Sequence, residues 1–248
     1  MTSINLVRSE LRKLTTTRMP LAFVVVLVVL AVINGIAVAV GTDMDGSKTF
    51  ISTAADQQSL MAFAANALMI TGLFGGIAAA REYAYKTVIA TYLAAPRRTQ
   101  ALWAQLAAVG LGGAILGLIG ASLTIVAVAA SLPLTDHGFM VSAGAIAQIV
   151  AASTLAGACG AVLGAGIGTV VRNAGGAVTG AVLVLVIAPP LVVQLASEAG
   201  PWVPGTLSTV ASGVSDETSV AAAGVALVLW ALVPALIALQ VVRRRDVV

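Results

Sequence analysis

Six stretches of this chain carry no Asp, Glu, Lys or Arg: 19–42, 57–80, 99–135, 137–171, 173–197 and 218–242. Every one of them has 24 residues or more. A helix needs about 20 apolar residues to cross the hydrocarbon core of a bilayer, so each stretch is long enough for one crossing. The two longest are short for two crossings and a turn. A seventh gap, 199–215, is shorter and more polar, with Pro201, Pro204 and Gly205. The stretches are continuous, as in 21–30 and 181–188, whereas barrel strands alternate apolar and polar residues over about ten positions. Length therefore favours helix over strand. The expected fold is an all-α integral membrane protein with six transmembrane helices near 21–40, 59–80, 104–128, 143–170, 174–195 and 220–242. An amphipathic segment over 1–19 precedes a single transmembrane domain over 20–248.

Composition excludes the alternatives. Charged residues make up 9% of the 248, and the AVILMFWYC set 59%. An ordinary soluble domain carries about 25% charge, and a disordered chain is poor in apolar residues. Cys159 is the only cysteine, so no disulfide framework exists.

The signs of the charges orient the spans. Six crossings put both termini on one side. That side receives Arg8, Arg12, Lys13, Arg18, Arg81, Lys86, Arg97, Arg98, Arg172, Arg243, Arg244 and Arg245, which is 12 of the 13 basic residues; only Lys48 falls opposite. Of the 10 acids, 7 lie opposite: Asp43, Asp45, Asp56, Asp136, Glu198, Asp216 and Glu217. The positive-inside rule makes the base-rich side, with both termini, cytoplasmic. The bases cluster at helix ends with no continuous basic face, which argues against nucleic-acid binding. The long region before the first span and the five that follow favour a retained anchor over a cleaved signal peptide.

Three segments outside the spans carry information. Residues 3–18 place Ile4, Val7, Leu11 and Leu14 at three- and four-residue steps among basic and polar positions. This predicts an amphipathic helix in the headgroup region, with Pro20 allowing a sharp turn into the first span. The connection 81–98 has about twenty residues where a helical hairpin needs about 2–8. It is rich in Tyr and Thr and closes on Pro96, Arg97 and Arg98. A short helix over 82–94 ending before Pro96 fits. Its composition suits a docking element for a cytoplasmic partner and an interfacial anchor equally. In 196–219, Trp202 suits the outer interface, and Leu207, Val210 and Val214 line one face of a candidate re-entrant helix.

Chemistry-bearing motifs are scarce. The predicted spans hold no Asp, Glu, Lys, Arg or His, which argues against proton- or sodium-driven transport and against intramembrane hydrolysis. His137 has no partners in sequence, and Cys159 reads as a small packing residue. Gly41–Thr49 imitates a phosphate loop, but Ser47 separates Gly46 from Lys48 and no strand precedes it. The chain is therefore not expected to bind ATP or a metal. Small residues four apart recur, most strongly at Gly160, Gly164 and Gly168, where close helix contact within the chain is favoured over a subunit interface. Asn34, Asn66, Thr124, Gln148 and Gln194 are among the few polar residues within spans. Asn34, Asn66 and Gln148 are candidates for a substrate path, although bonding to neighbouring helices is the simpler reading.

The layout resembles the membrane subunit of a type-2 ABC exporter, the family of antibiotic- and polysaccharide-export permeases. The likeness covers almost the whole chain: an N-terminal interfacial helix, six spans, long connections after spans two and five, and a tail ending Arg243-Arg244-Arg245-Asp246. Its most specific part is REYAYKTVIATYLAAPRR, where Glu82 and Thr87 precede Pro96-Arg97-Arg98. One departure is the missing long external domain of some members, which points to a compact exporter. The resemblance implies a coupling helix, with Glu82, Tyr83, Tyr85, Thr87, Pro96, Arg97 and Arg98 seated against an ATP-binding subunit. It implies a second permease subunit, identical or related, with ATP and Mg held by the partner ATPase and no catalysis by this chain. It also implies alternating-access export of a hydrophobic or amphipathic compound across the cytoplasmic membrane. The competing reading is a six-span accessory or immunity protein without transport activity.

Overall fold

A computed structural model of the chain describes residues 3–42, 46–94 and 97–244. Among these there are helices and connections and no strand. Six helical stretches are long and apolar enough to cross a membrane: Met19–Val40, Ala54–Ala84, Arg98–Leu134, Ala143–Val171, Ala174–Leu195 and Val220–Arg244. Each contains most of one of the six charge-free runs, with charges only near its ends, because a run without charge is what lipid tolerates.

The α-helices in chain order are α1 (Ser3–Thr15), α2 (Met19–Val40), α3 (Ala54–Ala64), α4 (Leu68–Ala84), α5 (Thr87–Ala94), α6 (Arg98–Ser131), α7 (Ala143–Val171), α8 (Ala174–Val182), α9 (Ala188–Leu195), α10 (Pro204–Ala211) and α11 (Val220–Arg244). The second stretch is therefore two helices. It breaks at Asn66, whose Oδ1 accepts from the Leu68 N–H at 3.1 Å and satisfies one of the free donors that begin α4. The fifth stretch is continuous but widens into a π turn over Leu183–Ile187, where the Ala188 N–H reaches the Leu183 carbonyl. Pro189 and Pro190 follow. Each lacks an N–H, and each ring crowds the carbonyl four residues back, so the turn opens there.

Helix α7 is the centre of the bundle, and glycines let its neighbours in. A methyl group on Gly160, Gly164 or Gly168 would collide with the carbonyl oxygens of Leu68, Gly72 and Gly76 on α4. One on Gly157 would strike Gly113 of α6, and one on Gly166 would strike Pro234 of α11. All these contacts are within the chain. In lipid such close backbone approach, with its dispersion contacts, replaces the hydrophobic drive of a soluble core. Helix α2 runs beside α6, with Leu27 against Gly120 and Gly35 against Ala127 and Ser131.

The connections segregate into two ends. At the acid-rich end, buried Gln57 donates to the Ile51 and Gly138 carbonyls and accepts from the Met140 N–H. Gln58 reaches the Ser212 and Gly213 carbonyls, and Gln148 the Ala211 carbonyl. Lys48, the lone base there, donates to the Val38 and Ala39 carbonyls at the C-terminal end of α2, where the helix dipole favours a cation. Helix α10 packs between α7 and α11, with Leu207 and Val210 fully buried. The Trp230 indole N–H donates to the Trp202 carbonyl at 2.9 Å. The opposite end holds α1, α5 and the two-residue turn at Arg172 and Asn173, where Asn173 Oδ1 caps α8.

Candidate functional site

The residues that the sequence singles out between spans two and three form one surface at the base-rich end, with a geometry that differs from the single helix expected over 82–94. Helix α4 carries on to Ala84 and ends at Tyr85. Lys86 then takes a left-handed conformation, φ +57°, and α5 starts at Thr87. Glu82 and Tyr83 therefore belong to the end of α4, and α5 folds back beside them. The Thr87 hydroxyl donates to the Glu82 carbonyl at 3.3 Å, and the Tyr83 and Tyr92 hydroxyls lie 3.3 Å apart. The Arg172 guanidinium sits 5.1 Å over the Tyr83 ring, a cation–π contact that ties the α7–α8 turn to the same cluster. Tyr85 turns outward under Arg81, 5.6 Å from ring centre to guanidinium carbon. Arg97 is the N-cap of α6 and exposed, as is Arg98; Pro96 lies outside the described residues.

The hub of this surface is Lys13 of α1. Its ammonium donates to Glu10 Oε1 at 2.6 Å, to Thr91 Oγ1 at 2.8 Å and to Glu82 Oε1 at 3.1 Å. One side chain thus joins α1, α4 and α5. The sequence reading missed both Lys13 and Glu10 because it placed the apolar face of α1 on Ile4, Val7, Leu11 and Leu14. In the fold Ile4 is exposed, and the face against α6 runs through Leu6, Glu10 and Leu14, one turn apart. Leu6 meets Ala101 and Ala104, and Leu14 approaches Gly112. The signal in the sequence was the carboxylate itself, in register with two leucines and three residues before a lysine.

Glu10 is 4% exposed. Burial pushes its carboxyl up to about 7; Glu82 pushes the same way, and Lys13 opposes both. Gln105 of α6 also faces the small cavity between them. The sign follows from linkage. Below about pH 4.5 the carboxyl is neutral in the folded and unfolded chain alike. Between there and about 7 the unfolded chain ionises while the folded one keeps its proton, so stability falls as pH rises and levels off above 7. Thermal unfolding of the purified protein should show that fall, and Glu10→Gln should flatten it. An unchanged slope in Glu10→Gln would show that another group carries it.

The outer face of α5 is unlike its inner one. Val88 is buried, whereas Ile89 and Leu93, four residues apart, are exposed, Leu93 to 84%; Tyr85, on the other side of the Lys86 turn, is exposed as well. A short helix outside the spans thus presents an exposed aliphatic pair, with Lys86 before it in the chain and Arg97 and Arg98 after it.

The polar residues within spans do not assemble into one path. Asn34 donates to the Leu30 carbonyl of its own helix, Asn66 caps α4, and Gln148 ties α7 to α10. A separate groove of about 610 Å³ opens on the side of the bundle between α7, the π turn and α11, lined by Ile167, Val171, Val184, Trp230 and Pro234. Its lining side chains are apolar, so it suits hydrocarbon. Among the described residues no group of three His, Cys, Asp or Glu is placed to hold a metal. The chain matches no protein-family model and no curated protein.

Proposed function

We propose that the chain is the membrane-spanning permease subunit of an ATP-driven exporter. The observation that carries this reading is the exposed apolar pair Ile89 and Leu93 on α5, with exposed Tyr85 at the turn before it, on a short helix braced from α1 and α4 through Lys13. A helix that only anchored the chain would not need two other helices fixed to it through one shared, half-buried ammonium. A helix that transmits force does, because a loose lever moves without moving the spans. In this reading α5 is the coupling helix, and Glu82, Tyr83 and Thr87 hold it while Tyr85, Arg97 and Arg98 meet the ATPase. ATP and Mg reside on that partner. Closure of the ATPases pushes α5, and through α4 and α7 the bundle alternates between inner and outer access. The helix α1 lies at the cytoplasmic interface, α10 is the re-entrant element, and both termini are cytoplasmic, in keeping with the segregation of 12 of 13 bases to that end.

Two further features fit. Spans one and five are the least covered by the rest of the chain, at 22% and 11% buried, and are the natural faces for a second permease subunit. The apolar groove beside α11 opens within the depth of the spans, which suits a hydrophobic or amphipathic cargo.

The test is co-expression with the ATPase encoded by a neighbouring reading frame. The permease should co-purify with it and change its ATP hydrolysis. Leu93→Glu with Ile89→Glu places two carboxylates at that pair and should cut capture by about tenfold or more, as loss of a central apolar contact does, without altering the monodispersity of the permease. Capture at the wild-type level by that variant would remove α5 from the interface. A chain that binds no ATPase would favour an accessory or immunity role.

A further inference from the structure

Independently of the transport reading, the region where α1 passes into α2 has the two-part character of a lipid site. A groove of about 420 Å³ opens there, walled by Leu11 and Leu14 of α1, Pro20 and Val24 of α2, and Ile115 and Ile119 of α6. Its floor is the Phe74 ring, braced edge-on by Phe23 at 5.4 Å between centroids. Gly112 keeps that floor low, since a methyl there would lie 3.1 Å from the ring. The rim is of the opposite character. A shallow recess lined by Asn5, Arg8, Ser9 and Arg12 shares Leu11 and Thr15 with the groove, so the two are contiguous. Arg8 and Arg12 stand one turn apart on the exposed side of α1, and among the described residues neither has an ion-pair partner.

We propose that this groove and rim bind one anionic phospholipid, an acyl chain lying over Phe74 and the phosphate resting on Arg8 and Arg12. The level is right for that occupant. Helix α1 ends and α2 begins at the groove, so charged and apolar chain meet there as headgroup and hydrocarbon meet in the leaflet. A second protein helix would suit the apolar groove but would leave two arginines facing no anion. A free phosphate would suit the arginines but leave the apolar groove open. A lipid satisfies both.

The experiment reconstitutes the chain in vesicles of equal parts palmitoyl-oleoyl phosphatidylglycerol and phosphatidylcholine, extracts it in mild detergent and counts retained lipid by native mass spectrometry. The wild type should keep one phosphatidylglycerol per chain, preferred over phosphatidylcholine by about tenfold or more, since each base near a headgroup contributes severalfold. Arg8→Gln with Arg12→Gln should abolish the preference, and the paired Lys substitutions should largely keep it. Ile115→Trp, or Leu21→Trp at another lining position should the first fail to fold, should fill the groove and lower retention of both lipids. Arg243→Gln with Arg244→Gln, at the far end of the chain, should change nothing. The proposal is overturned by an undiminished preference in the paired Gln variant, by undiminished retention in a folded Trp variant, or by displacement of the lipid with excess inorganic phosphate. Dimers crosslinked through Ile115→Cys in place of bound lipid would overturn it too.

Discussion

Gly164→Leu should leave no folded protein to purify, and Gly164→Ala should lower stability by about 3 kcal/mol, the upper range for overpacking a well-packed site. The position is at the middle of the α4–α7 contact, and the space a Cβ would take is already filled by the Gly72 carbonyl oxygen. That atom is backbone in a regular helix, so it cannot rotate away as a side chain could. The two helices would have to separate. Gly160 and Gly168, one turn to either side, face the Leu68 and Gly76 carbonyls, so separation at one level opens all three. It would also pull Leu68 and Leu163 out of the cluster that they share with α10 and α11. No hydrophobic force restores the contact, because lipid tails solvate the parted faces as well as the helices solvate each other. Gly205→Ala is the control, since nothing lies within 4 Å of its Cβ position. Thermal unfolding followed by size-exclusion chromatography reads both. A Gly164→Ala protein as stable as the wild type would mean that α4 and α7 are not in backbone contact.

What made the bundle legible was the cost of burying charge in lipid, which writes the spans into the sequence as gaps. That cost is silent about anything a gap contains. The break in the second span fell within a charge-free run, and only Asn66 signalled it. The turn between α4 and α5 was hidden for a different reason. Left-handed backbone is announced by glycine or asparagine, and here it is taken by Lys86. The inner face of α1 was misread because hydrophobic periodicity discards a carboxylate. Glu10 sits in that face only because Lys13 lies beside it and brings Glu82 and Thr91 from elsewhere in the chain, a long-range arrangement that no local pattern encodes. The helix at α10 was readable from the spacing of Leu207 and Val210, although it ends at Ala211, before Val214, and the glycine pattern of α7 was readable because it depends on backbone sterics.

Lys13→Met should be the most damaging single change outside the glycine contacts. It removes the ammonium shared by Glu10, with a side chain 5% exposed, and Glu82, with one 14% exposed. Breaking a fully buried pair costs about 3–5 kcal/mol. The Lys13 side chain is 38% exposed, so water screens part of the loss, and about 2–3 kcal/mol is the expected size here. The effect should be felt in two helices at once, since Lys13 also donates to Thr91. Hydrogen exchange should quicken together in α1 and α5 while α7 stays protected. Adding Glu10→Gln should recover about 1–2 kcal/mol only well above pH 7, where the unpaired Glu10 carboxyl would otherwise ionise beside Glu82, and little at lower pH, where that carboxyl keeps its proton. Arg97→Met, an exposed change at the start of α6, should stay within about 0.5 kcal/mol of wild type. If Lys13→Met proved as mild as Arg97→Met, the three-helix joint would be a surface ion pair of little consequence. Helix α5 would then be held by the burial of Val88, the Thr87–Glu82 hydrogen bond and the Tyr83–Tyr92 contact.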